Sequence, residues 1–91
     1  MYLHLGMDVV VRKSDIIGLF DLDNASQSHI TREYLSRAEK NGLVTNVVNN
    51  ELPRSFIVTV QGGEQRIYLS QITAQTLLKR FNSPLASAVG G

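Results

Sequence analysis

The chain has 91 residues, 43% of them hydrophobic, with nine Lys and Arg against eight Asp and Glu, a formal net charge of +1 and no cysteine. That length allows one domain with a modest core, a size at which self-association often adds burial. Lack of Cys excludes disulfides, thiol catalysis and thiolate metal sites, near-neutrality excludes nucleic-acid binding by bulk basicity, and no apolar run nears the ~18 residues of a membrane span.

The first residues, Met1–Gly6, lack the basic region, long apolar stretch and cleavage site of a signal peptide, so a cytoplasmic protein is expected. Tyr2–Leu5 reads as a short strand, with His4 between apolar neighbours. Val9–Val11 reads as a second and Ile16–Phe20 as a third, each rich in β-branched residues. Between the last two, Arg12, Lys13, Ser14 and Asp15 form a polar turn. Gly18, inside the third strand, marks a bulge or a close backbone approach.

Asp21–Ser28 reads as a loop, ending in two N-cap candidates, Ser26 and Ser28. A helix is expected from about Ser28 to Asn41. Ile30, Tyr34, Leu35 and Ala38 make its apolar stripe, and Arg32, Glu33, Arg37, Glu39 and Lys40 its other face. Gly42 closes it in the left-handed region, with Leu43 folding back as the hydrophobic partner. Val44–Val48 is a further strand candidate, and Asn49, Asn50 and Glu51 turn the chain.

The clearest strand follows. Pro53 suits a strand entrance, because it fixes φ and lacks an N–H. Phe56–Val60 are all aromatic or β-branched. Gly62 and Gly63 can supply the positive φ of a tight hairpin turn, and Arg66–Leu69 is the returning strand. Ser70 or Thr73 can cap a last helix through Leu77, Leu78 and Phe81, with Lys79 and Arg80 placed to complement its dipole. Asn82–Gly91 is small, uncharged and expected to be a mobile tail.

Signals for catalysis are poor. His4 and His29 stand in no triad arrangement, and their spacing with Asp8 or Asp21 matches no metal site. Asp21 and Asp23 begin like a calcium loop, yet neither the Gly nor the closing Glu follows. Gly62–Gly63 has no following helix and no Walker Lys. No enzyme, cofactor or metal is expected. The basic residues are more coherent: Arg12 and Lys13 share a turn, Arg54 stands at the mouth of the central strand, and Arg66 lies near it across the hairpin. Gathered on one edge they would make a phosphate-binding strip.

Met1–Gly6, Asp8–Val11, Asp15–Asp21, Pro53–Val60, Ile67–Ser70 and Thr76–Arg80, taken together, resemble the extracellular matrix regulator family, RemA/RemB, of spore-forming and related bacteria, and the B branch more closely. The resemblance runs from Met1 to about Arg80. It implies an oligomeric DNA-binding transcriptional regulator of biofilm matrix genes, associated with the nucleoid. Such proteins form rings on which double-stranded DNA is held by arginines repeated on every protomer. It places Arg54 near one basic motif of the family and Arg12 and Lys13 near another. Where A-type members carry an arginine pair, this chain has Asn49, Asn50 and Glu51; where they carry an arginine in the early turn, it has Ser14. That difference keeps a second reading open: a protein-interaction adaptor, without DNA affinity of its own, that assembles with a RemA-like partner. In a closed ring, weak contacts repeated per protomer add through effective concentration. The stretches Tyr2–Leu5 and Val44–Val48 are candidate apolar edges for the contact between protomers.

The expected fold is α+β: a single domain over residues 1–81, with a small, mainly antiparallel sheet of about five strands and two helices, then the tail from 82 to 91. The expected DNA contacts are Arg54, Arg12 and Lys13, with Arg66 a fourth.

Overall fold

The computed structural model describes residues 1–25, 29–48 and 51–83. Six strands form where the β-branched and aromatic residues cluster: β1 (Tyr2–Gly6), β2 (Val9–Arg12), β3 (Ile16–Asp21), β4 (Val44–Asn46), β5 (Ser55–Gln61) and β6 (Glu64–Ser70). The helices are a single turn α1 (Leu22–Ala25), α2 (His29–Lys40) and α3 (Ala74–Phe81). The α+β class holds. There is one strand more than expected, and the strands divide between two sheets: a two-stranded β1–β2 hairpin and a four-stranded sheet in the order β3-β5-β6-β4.

The central position of β5 follows from its composition. A strand flanked on both sides and covered on both faces needs apolar residues without alternation, and Ser55, Phe56, Ile57, Val58 and Thr59 are all buried. Side chains on one face of the sheet, Ile57 and Tyr68 among them, pack with Leu3, Leu5 and Val11 of the hairpin and Leu77 of α3. Those on the other face, Phe56, Val58 and Ile67, pack with Ala38, and Tyr34 and Leu35 of α2 close against them. The result is three layers, with the sheet between α2 and the hairpin–α3 pair.

Buried hydroxyls bind the hairpin layer to the sheet. Ser70 Oγ donates to the Leu5 carbonyl at 2.6 Å and accepts the Ile72 N–H at 3.0 Å, while Ser55 Oγ donates to the Ile72 carbonyl at 2.6 Å. Both serines are fully buried, so these partners offset a desolvation cost that an unpaired hydroxyl would carry. Ser70 is thus occupied elsewhere. Thr73 is the cap of α3, its Oγ1 accepting the Thr76 N–H at 3.2 Å.

Turn chemistry follows the expectation. Gly62 and Gly63, at φ 59° and 86°, join β5 to β6 as a two-residue turn between the paired Gln61 and Glu64. Gly42, at φ 72°, ends α2; its N–H donates to the Glu39 carbonyl and that of Leu43 to the Ala38 carbonyl, the paired bonds of a Schellman cap. Gly18 is both a bulge and a close approach. The register of β3 on β5 shifts between Ile16 and Gly18, and a Cβ at Gly18 would lie 2.4 Å from the Phe20 ring.

Two expectations need correction, and the strand pairing, mainly antiparallel as expected, has one parallel pair. Part of the Asp21–Ser28 loop is helical, as the turn α1, where Asp21 Oδ1 accepts the Asp23 N–H at 2.8 Å and caps the start. Strand β4 runs parallel to β6, because the chain leaves this edge to enter β5 in the middle of the sheet, antiparallel to β6. And Ile30, placed by its spacing in the apolar stripe of α2, is 77% exposed. The Ser26 and Ser28 caps, the turn at Asn49 and Asn50, and the tail from residue 84 lie outside the described residues.

Candidate nucleic-acid interface

The mouth of β5 is the most firmly built of the basic positions. The Arg54 N–H donates to the Ser70 carbonyl at 2.8 Å, and its carbonyl accepts the Leu22 N–H at 3.0 Å. The backbone is therefore clamped between the end of β6 and the start of α1. From there the Arg54 side chain reaches Asp23, Nη2 to Oδ2 at 3.1 Å, with both side chains about half exposed. A solvent-exposed pair of this kind contributes about 0–1 kcal/mol, so the guanidinium is held in direction without being locked away.

Arg12 is similar. Its Nε lies 3.4 Å from Asp15 Oδ2 across the single 3-10 turn Lys13–Asp15, and its side chain is 63% exposed. Lys13 is not. Its Nζ donates to the Phe81 carbonyl at 2.8 Å and lies 5.5 Å from the centre of the Phe81 ring. The ammonium thus closes the C-terminus of α3, where carbonyls lack helical partners and the dipole favours a cation. Arg66 turns along the sheet, Nη1 donating to Thr45 Oγ1 at 3.2 Å, and is half-buried.

These four cations do not form one strip. Asp21 stands opposite Ser55 and Ile16 opposite Thr59, so Arg54 and the Arg12–Lys13 turn lie at opposite ends of the β3–β5 ladder. At about 3.3 Å per residue, the two ends are roughly 15–20 Å apart. Arg66, opposite Thr59, shares the end of the Arg12–Lys13 turn but bonds toward β4. The two histidines are also separate: His4 Nε2 lies 2.8 Å from the Met7 carbonyl in the hairpin, and His29 Nε2 lies 2.9 Å from Glu33 Oε1 on α2.

Sequence reasoning missed the apolar groove beside the edge strand β3. Ile17, Phe20, Ile30, Tyr34, Phe56 and Val58 line a depression of about 370 Å³ between β3 and α2. Phe20 stacks on Phe56 with ring centroids 4.7 Å apart, and Ile17 is 64% exposed. The available signal was Gly18: a strand residue with no side chain leaves a bed for a neighbouring ring, which then stands at the surface. On the far layer, Tyr2 and Val10 are exposed on the hairpin.

Comparison with known proteins agrees with the blocks of sequence quoted above. The profile of the family described as "RemA-like: Extracellular matrix regulatory protein A-like" matches residues 2–81. The chain is 44% identical over 80 residues to Extracellular matrix regulatory protein B of Bacillus subtilis (strain 168), covering 88% of this chain and 89% of that protein. The match accords with the B branch, and the limits of the family profile coincide with the start of β1 and the end of α3. The chain belongs to the RemA-like family of extracellular matrix regulatory proteins.

Proposed function

We propose that this protein regulates extracellular matrix genes as a homo-oligomer that holds double-stranded DNA by its backbone. The observation that carries the reading is family membership over the whole folded part of the chain, together with the 44% identity to a protein named for matrix regulation. Assembly is supported by the β3 groove. An apolar patch rimmed by polar residues marks an interaction surface, and the edge strand beside it presents unpaired backbone groups. On the opposite layer Tyr2 and Val10 are exposed apolar residues. Apolar residues exposed on opposite sides of one molecule fit a head-to-tail contact, which closes into a ring when the rotation allows.

For the DNA contact, Arg54 and Arg12 are the cations that can exchange a weak carboxylate partner for a phosphate. Lys13 and Arg66, half-buried and bonded to the Phe81 carbonyl and the Thr45 hydroxyl, are the weaker candidates for that contact. The adaptor reading keeps one observation in its favour: Arg12, Lys13, Arg54 and Arg66 each already have a partner within the chain. Fluorescence anisotropy of a labelled duplex at several salt concentrations, with a solution mass, separates the two readings. The regulator gives an oligomer whose DNA affinity falls steeply with salt, and Arg54→Ala weakens all sequences alike. An oligomer with no affinity even at low salt, which co-elutes with a RemA-like protein, would make the chain an adaptor.

A further inference from the structure

We propose that the solvent face of α2, carrying Arg32, Arg37 and Lys40, is a contact surface for the phosphate backbone of double-stranded DNA. The inference rests on the DNA-binding reading above and adds to Arg54 and Arg12 a second set of contacts, outside the basic positions so far named.

The first observation is which cations are already engaged. Arg12, Lys13, Arg54 and Arg66 hold a carboxylate, a carbonyl or a hydroxyl, and Arg80 is engaged as well. Among the described residues, Arg32, Arg37, Lys40 and Lys79 have no such partner, and all four are exposed. Three of these four lie on one helix, so the unengaged positive charge is concentrated there.

The second observation is their placement. His29, Arg32, Glu33, Ser36, Arg37 and Lys40 share one shallow depression on the outside of α2. Three cations meet one carboxylate there, a surplus of two positive charges on a chain whose net charge is +1, so all other residues together are negative by one. The one carboxylate, Glu33, lies against His29 and stands one helical turn from Arg37 and two from Lys40, so the cations outnumber it within the depression itself. Glu39, the other acid of the helix, is not part of that depression. A near-neutral protein with its charge divided in this way offers a polyanion a defined positive surface.

Dimensions fit. Arg32 and Lys40 are eight residues apart, about 12 Å along the axis at ~1.5 Å per residue. One strand of a duplex presents a phosphate about every 3.4 Å of its axis, so the strip covers about three phosphates. Ser36 stands between the cations as a further donor. The strip also lies apart from the groove proposed for assembly. Ala38 and Leu35 face the sheet, Ile30 and Tyr34 face the groove, and the basic residues occupy the remaining side. A membrane surface fits less well, because the apolar side of α2 is committed to the sheet and the groove, leaving no amphipathic face to insert.

The test is Arg32→Gln, Arg37→Gln and Lys40→Gln combined, in the full chain, with fluorescence anisotropy on duplexes of two unrelated sequences at several salt concentrations. All three positions are exposed, so circular dichroism and solution mass should match wild type. Each lost phosphate contact lowers the slope of log affinity against log salt by about 0.9. Three contacts lower it by about 2.7 per bound protomer, removing about 40-fold of the affinity change between roughly 50 and 200 mM salt. Both sequences should respond alike, and the double Arg32→Lys, Arg37→Lys variant should keep the wild-type slope. An unchanged slope in the triple Gln variant, with wild-type binding intact, overturns the assignment to α2 and leaves the DNA-binding reading standing. So does a Lys79→Gln variant that loses as much slope per charge, or a triple variant that loses affinity for phosphatidylserine vesicles and none for DNA. A wild-type protein with no DNA affinity at low salt overturns both.

Discussion

Replacing Lys13 separates a residue that binds DNA from one that holds the fold. The structure places its ammonium 2.8 Å from the Phe81 carbonyl and 5.5 Å from the centre of the Phe81 ring, joining the β2–β3 turn to the end of α3. A hydrogen bond from a charged donor contributes about 1.5–3 kcal/mol net, and an exposed cation–π contact about 0.5–1 kcal/mol. Water can reach the freed carbonyl of a half-buried site, which returns part of the loss, so Lys13→Ala should cost about 2 kcal/mol. For a domain of this size, 1 kcal/mol corresponds to about 4–8 °C, so Tm should fall by about 8–16 °C. Lys13→Met keeps the aliphatic stem beside the Phe81 ring and loses the charge; it should retain only the smaller part of the stability. Thermal unfolding followed by circular dichroism, at one fixed protein concentration so that assembly adds no shift of its own, measures both. DNA affinity measured well below either Tm should be unchanged. A Lys13→Ala protein with wild-type Tm and weakened DNA binding would refute the assignment and return Lys13 to the DNA contact.

Ile17→Glu tests the proposed assembly by placing a carboxylate in the β3 groove at a position 64% exposed in the single chain; the chain's stability should change by no more than about 0.5 kcal/mol, while the solution mass of the proposed oligomer should fall to that of one chain. Retention of the oligomer would remove the groove from the contact between protomers. Ser70→Ala removes the hydroxyl shared by the Leu5 carbonyl and the Ile72 N–H; chemical denaturation should show a loss of about 1–3 kcal/mol, since both groups are left unpaired in a buried place. Gly18→Ala puts a methyl group where the Phe20 ring lies, so the nuclear Overhauser contacts between the Phe20 and Phe56 rings should vanish; rings that remain stacked would show that the edge of β3 yields instead.

Local chemistry made most of the fold legible. The double glycine turn, the Gly42 cap and the β-branched run of β5 are each specified by a few adjacent residues, and each appears where those residues stand. Non-local consequences were harder to read. The parallel pairing of β4 with β6 depends on which edge the chain reaches after α2, and three residues of strand carry no record of that. The same holds for Ser70, which by its neighbours is as good a cap as Thr73. Only the arrival of Leu5, 65 residues away in the chain, makes it a buried joint between layers.

The surroundings of each candidate cation were not legible in the sequence, for a physical reason. A cation's role is decided by what lies within about 4 Å of it in space, and sequence gives only its neighbours along the chain. Arg12 and Lys13 are adjacent, yet one faces solvent beside Asp15 and the other closes a helix that ends at residue 81. Arg54 and Arg66 flank one hairpin, yet they sit at opposite ends of its ladder. On α2, helical periodicity does fix direction, so the face shared by Arg32, Arg37 and Lys40 can be read from spacing alone. What periodicity does not reveal is whether the other cations are already engaged. An exposed basic helix face is ordinarily a solvated one, and its significance here comes by comparison: five other cations already have a partner in the chain, Arg12 and Arg54 only an exposed carboxylate, and among the described residues the positive charge with no partner is left mainly on this helix. The charge that matters for a polyanion is therefore the charge that folding leaves unspent, and in a chain of net charge +1 its position on the surface carries more information than its sum.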